Sequence, residues 1–264
     1  MTEVRTIRLL LAYDGGEFHG WQSQPGLANV QDTLAAALEA VCGERVVVHG
    51  SGRTDAGVHA LGQVAHCELR ARLPCANLQR ALNARLPVSL RVLGVEEAPA
   101  GFHARHDARG KLYRYRLYRE PVCPPWLARY VYHYPYPLDE AAMAAAAPAF
   151  AGRHDFRSFA AAPEKRTPPL ASTERTVLRS ELRREGAELI YEVYGEGFLH
   201  HMVRNLVGFL LEIGRGARRG SEVAAVLAAR ARSAAGPTAP ARGLYLVRVD
   251  YDGSEAGHEA PPQP

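Results

Sequence analysis

Lysine is nearly missing from this chain. Of 32 basic residues only Lys111 and Lys165 are lysine; the other 30 are arginine. Two origins fit: a GC-rich coding bias, or planar guanidinium forks aimed at phosphates and bases. Composition does not separate them. Cysteine is scarce too, at Cys42, Cys67, Cys75 and Cys123. No two form C-x-x-C, so neither a zinc ribbon nor a dithiol redox pair is suggested, and no secretory context supports a disulfide framework. No apolar stretch approaches the roughly 18 residues of a membrane span. The opening residues lack a signal peptide's apolar core and cleavage site. A soluble, cytoplasmic protein is therefore expected. G-x-G-x-x-G, the P-loop, H-E-x-x-H, the EF-hand loop and G-x-S-x-G are all missing. No cofactor and no metal are expected.

What is present reads as globular. The chain has 264 residues, 47% hydrophobic and 23% charged, with a net charge of +4. At roughly 150 residues per domain that is just under two domains. A short apolar run at 6–13 predicts a strand ending at Asp14-Gly15-Gly16. Asn29 then caps a helical pattern that stops at Gly43. Strands are expected at 45–49, 63–69 and 90–97, with a helix from Pro74 to Arg85, giving βαββαβ. The second half repeats this order loosely. It has a strand at 111–119, a helix at 139–150 broken near Pro148, a hairpin at 176–184 and 188–194, and an apolar helix at 198–213. A Ser-capped helix at 221–230 and a strand at 244–251 follow. The expected fold class is α+β, two tandem ferredoxin-like halves with a central cleft. The halves are 1–105 and 106–252, with a disordered tail at 253–264. One irregular α+β domain is the alternative.

The most informative segment is Gly52-Arg53-Thr54-Asp55-Ala56-Gly57-Val58-His59. Two glycines flank a carboxylate between expected strands, so Asp55 sits on a tight loop that a ligand can approach closely. Arg53 is placed to depress its pKa by charge pairing. A positioned carboxylate can be a nucleophile; an Asx-turn that only shapes the loop fits equally. In the strand at 111–119, Lys111, Tyr113, Tyr115 and Leu117 share one face, and Arg114 and Arg116 the other. That pattern suits base stacking and phosphate contact, or a half-buried strand with solvated arginines. Arg204 sits in an apolar helix, where a charge needs a partner such as Asp55, unless it lies at the helix surface. His200 and His201, adjacent on that helix and about 100° apart, do not converge on one ion. The segment 13–22, Gly-rich and aromatic, either contacts a nucleotide or is a packed turn.

Taken together, YDGGEFHGWQSQ, VQDTLAAAL, GRTDAGVHA, FHAR, KLYRYRLY, HDFRSF, KRTPP, FLHHMVRNLVG and GLYLV resemble the tRNA pseudouridine synthase A family, over residues 13–247. The resemblance implies an isomerase that breaks the N1–C1′ bond of a uridine, rotates the uracil and rejoins it through C5, without a cofactor. It implies tRNA as partner, with uridines at tRNA positions 38, 39 and 40 of the anticodon stem-loop as targets, and a homodimer that shares one tRNA. By position, Asp55 matches the catalytic aspartate and Tyr113 the tyrosine that stacks on the target base. Arg204 matches the basic residue paired with the aspartate, and Arg53 the loop arginine associated with base flipping. Two other classes compete: an RNA chaperone without chemistry, and a nucleoside hydrolase using Asp55 and His59.

Overall fold

The computed structural model describes residues 4–162 and 172–251. The segment KRTPP (165–169) and the expected disordered tail (253–264) lie outside the described residues. The strands are β1 Arg5–Tyr13, β2 His49–Gly50, β3 His59–Leu69, β4 Leu90–Ala98, β5 Gly110–Tyr118, β6 Tyr132–His133, β7 Gly152–Asp155, β8 Glu174–Glu185, β9 Glu188–Gly195 and β10 Leu244–Asp250. The helices are α1 Val30–Cys42, α2 Cys75–Arg85, α3 Glu140–Ala146, α4 Met202–Gly214 and α5 Val223–Ala229. The class is α+β. Two compact units form, one from residues up to Arg109 plus those from Tyr245 onward, the other from Gly110–Leu244.

In the first unit the strand order is β4-β1-β3-β2, each neighbour antiparallel, and the βαββαβ chain order makes it ferredoxin-like. Asn29 accepts a hydrogen bond from Asp32 N at 2.8 Å and starts α1; Gly43, with φ +72°, ends it. Ile7, Leu9 and Leu11 of β1 alternate inward and are fully buried, as are Leu34, Leu38, Leu78 and Leu82 of the two helices. Each such side chain contributes about 1.5–3 kcal/mol by leaving water.

Here the structure departs from the sequence in three ways. Residues 45–48 are not strand, because β2 meets β3 only at His49↔His66 and Gly50↔Ala65. β3 begins at His59, four residues before the apolar run suggests. The last strand, placed in the second half by sequence order, instead pairs in parallel with β3 through Tyr245↔His59 and Leu246↔Ala60.

The second unit orders its strands β5-β9-β8-β7, with β6 beside β5. Asp139 caps α3 through Ala142 N at 2.8 Å. The helix gives way to a 3-10 turn at Ala147–Phe150, where Pro148 cannot donate. The core holds Phe150, Phe156, Phe159 and Phe209, packed edge to face with centroids 5.3–6.4 Å apart. Such pairs add about 0.5–1.5 kcal/mol beyond burial. Ser221 is not a helix cap: it lies in the 3-10 turn Gly220–Glu222, ahead of α5.

Candidate active site

In the first unit, the loop 51–58 joins β2 to β3 and carries Asp55, which is half-buried. The segment 13–22 lies beneath this loop and braces it. Tyr13 Oη and Thr54 Oγ1 are 2.8 Å apart. Trp21 N donates to Thr54 O at 3.0 Å, and Gly57 N to Phe18 O at 3.4 Å. Val58 N closes a turn on Asp55 O at 3.1 Å, with Gly57 at φ +78°. Gly20 adopts φ +90°, and a Cβ there would lie 2.6 Å from Thr54 O. Of the two readings of segment 13–22, the structure supports a packed turn: Phe18 and Trp21 are buried.

A polar cluster fills the space under the loop. Gln63 Nε2 donates to Gly52 O at 3.0 Å and to Tyr13 Oη at 3.3 Å, while Ser51 Oγ donates to Gln63 Oε1 at 2.6 Å. Gln63 and Ser51 are completely buried. Burial pushes the Tyr13 hydroxyl up to about 12, against the lowering effect of its bonds to Thr54 and Gln63, so it stays protonated at neutral pH. No sequence signal pointed to Gln63, which sits inside an apolar strand.

His59 is not presented for chemistry. It is 2% exposed. Its Nδ1 accepts from Gly15 N at 3.1 Å and stands 3.2 Å from Asp14 Oδ1. Its ring stacks on Tyr245 at 4.8 Å. The hydrolase reading thereby loses its second residue. Arg53 is exposed and forms no ion pair among the described residues, so the expected charge pairing with Asp55 is not seen.

In the second unit, Tyr113 and Tyr115 share a face of β5 and both are buried. Tyr115 donates its hydroxyl to Pro240 O at 2.7 Å, and burial holds its pKa well above the usual tyrosine value. Tyr113 is 8% exposed and meets Phe198 edge to face at 5.0 Å. The arginines on the opposite face are neither solvated nor open to phosphate. Arg114 Nε donates to Glu192 at 2.7 Å, and Arg116 grips Glu188 with two bonds of 2.7 and 2.6 Å. Burial alone would raise the Glu192 pKa, but hydrogen bonds from Arg183 and Arg114 outweigh it and hold the group below the ordinary carboxylate range.

Arg204 lies in the first turn of α4. The helix starts at Met202, four residues later than the apolar pattern predicts, because His201 turns the backbone into the left-handed region at φ 62°. His200 and His201 therefore precede the helix, and their rings are 4.0 Å apart; the 100° separation expected of helical neighbours does not apply. Arg204 Nε donates to Ala239 O at 2.8 Å, and Ala239 N donates back to Arg204 O at 3.1 Å. Asn205, fully buried, donates to Phe159 O at 2.7 Å and accepts from Thr238 Oγ1 at 2.6 Å. A Cβ on Gly208 would collide with Pro237 O. The strip 237–239 is thus pressed against α4 at Arg204, with glycine required at the contact. Asn205 and Gly208 are part of this support, and the sequence assigned neither a role.

Among the described residues, no helix is long and apolar enough to cross a membrane. The family model for tRNA pseudouridine synthase matches residues 10–107 and 146–252. The chain is 52% identical over 248 residues to the tRNA pseudouridine synthase A of Solibacter usitatus, covering 94% of this chain and 100% of that one. It is 45% identical to the protein of the same name from Moorella thermoacetica, covering 93% and 99%. The Limosilactobacillus fermentum protein of that name is also 45% identical, covering 94% and 97%.

Proposed function

The chain belongs to the tRNA pseudouridine synthase family, and from that premise we propose that it isomerises uridine to pseudouridine in the anticodon stem-loop of tRNA, at tRNA positions 38, 39 and 40. The reaction breaks N1–C1′ and makes C5–C1′. The proton on C5 leaves and N1 gains one, so no redox partner or energy source enters the balance.

The bracing of loop 51–58 is the observation that carries the assignment of Asp55 as the reacting carboxylate. Thr54, Asp55 and Gly57 are each held by hydrogen bonds to segment 13–22 or within the loop. A carboxylate held this way needs no reorganisation to meet a nucleotide. We assign Arg204 as the cation that keeps Asp55 ionised, and Tyr113 as the ring on which the target uracil stacks. Flipping a paired or stacked base costs a few kcal/mol; stacking returns about 1–3 kcal/mol of it. Arg53, exposed beside Asp55 in sequence, is the residue assigned to holding the flipped nucleotide. The active species is proposed to be a homodimer acting in the cytoplasm, with one tRNA touching both subunits. Sedimentation giving only a 28.8 kDa species would refute the dimer.

The test is pseudouridine formation in unmodified tRNA, wild type beside Asp55→Asn, read by mass spectrometry of digested nucleosides after a pseudouridine-specific label. The expected result is product with wild type and none with the variant, and no free uracil from either. Binding of tRNA without product by wild type would favour the chaperone reading. Free uracil would favour a hydrolase.

A further inference from the structure

The cluster beneath the Asp55 loop has a direction. Gly52 O only accepts, so the Gln63 atom 3.0 Å from it must be the amide nitrogen. The orientation of the amide follows: Gln63 Oε1 faces Ser51 Oγ at 2.6 Å and accepts its proton. The second hydrogen on Nε2 then points at Tyr13 Oη, 3.3 Å away. Tyr13 Oη accepts that hydrogen, and we assign its own single proton to Thr54 Oγ1, 2.8 Å away. Each bond sets the next, from a fully buried amide to the residue immediately before Asp55.

From this order we propose that Gln63 and Tyr13 are positioning residues for the reaction: they act on Asp55 through the loop backbone at Gly52 and through the Thr54 side chain. The inference rests on the isomerase reading given above. Gln63 holds the loop's first half by a carbonyl, and Tyr13 holds the residue next to the carboxylate by a hydroxyl. Both come from neighbouring strands, β3 and β1, paired by the antiparallel register Leu11↔Gln63 and Tyr13↔Ala60, with a bulge between. Gln63 pairs with Leu11, two residues before Tyr13 on β1, so the period-2 alternation of a strand sets the Gln63 and Tyr13 side chains on the same side. Tyrosine and glutamine are needed here as donors, not as bulk.

The experiment compares wild type, Tyr13→Phe, Thr54→Val and Gln63→Glu in pseudouridine formation on unmodified tRNA. Rates are taken per folded molecule, with folding followed by far-UV circular dichroism at each pH. Tyr13→Phe keeps the ring and deletes the donor. It is expected to lower kcat by about 10- to 100-fold, with KM for tRNA within about twofold. Thr54→Val should match it, since both cut the same bond. In Gln63→Glu a carboxylate faces Gly52 O and Tyr13 Oη with nothing to donate. Enclosure disfavours its ionised form, so kcat should recover as pH falls and the acid regains a donor, with no such rise in wild type. Wild-type kcat in folded Tyr13→Phe and Thr54→Val overturns the proposal, and so does a Gln63→Glu loss that no pH restores. If wild type itself makes no pseudouridine, the isomerase reading falls and this proposal falls with it.

Discussion

Replacing Asn205 with alanine tests the support of Arg204. The side chain is fully buried in the first half of α4. It donates to Phe159 O at 2.7 Å and accepts from Thr238 Oγ1 at 2.6 Å and Arg232 Nη2 at 3.0 Å. Two of the three partners keep other bonds: Arg232 still reaches Thr238 at 2.8 Å and Gly236 O at 2.6 Å. Phe159 O loses its side-chain donor in the interior. One stranded acceptor costs about 1–3 kcal/mol, and the vacated space adds to it, so a loss of about 2–4 kcal/mol is expected. Against a typical stability of about 5–15 kcal/mol the variant still folds. Its activity should suffer more than its stability. Thr238 no longer ties the strip 237–239 to α4, and that strip holds Arg204 through Ala239 O. Urea unfolding followed by circular dichroism gives the first quantity; turnover on tRNA, under conditions where the variant is folded, gives the second. A loss below about 1 kcal/mol together with wild-type turnover would refute the reasoning. It would mean that the carbonyl finds another donor and that the strip does not depend on Asn205.

Three further outcomes are expected. Gly20→Ala should destabilise the protein by about 1–3 kcal/mol and reduce turnover, because alanine must adopt φ +90° and its Cβ meets Thr54 O; wild-type melting and turnover would contradict this. Burial, reinforced by neighbouring His103 and His49, lowers His66 from 6.5 to about 4. Its neutral form is therefore favoured by folding, so this stability is fully present above pH 6.5 and is lost progressively as pH falls towards 4. Urea titrations across that window should show a slope that His66→Gln diminishes, and an unchanged slope would exclude His66 as its source. Tyr113→Ala should weaken turnover strongly while Tyr113→Phe, which keeps the ring, retains most of it; a large loss in the phenylalanine variant would assign the work to the hydroxyl.

Local signals were legible in the sequence where local chemistry decides structure. Asn29 and Gly43 bound α1 as capping rules require, Pro148 ends α3, and the hairpin turns at Gly186. The motif GRTDAGVHA was read as a strand-flanking loop, and it is one as far as Val58, with His59 and Ala60 already in β3. What escaped depends on partners far along the chain. Arg114 and Arg116 looked available because their acceptors, Glu192 and Glu188, belong to β9, and the β5–β9 register is not written in either strand. The late start of α4 comes from a left-handed histidine, a conformation that surroundings impose and propensity disfavours. Gln63 was hidden for a similar reason: its use follows from the pairing of β3 with β1, which sets it opposite Leu11 and within reach of Tyr13.

The return of β10 to β3 has a consequence for how the protein is made. During synthesis the chain leaves the ribosome from its N-terminus, and early segments usually fold first. Here the first unit cannot be finished early. Tyr245, far along the chain from His59, supplies both the strand partner of His59 and the ring stacked against it. His59 directly follows the loop that carries Asp55. A nascent or truncated chain ending before Tyr245 therefore lacks one wall of that loop's anchor, however well its other strands have paired. Such long-range closure slows folding, but it also ties the loop that carries Asp55 to a strand made much later, so fragments that stop before Tyr245 emerge without it set.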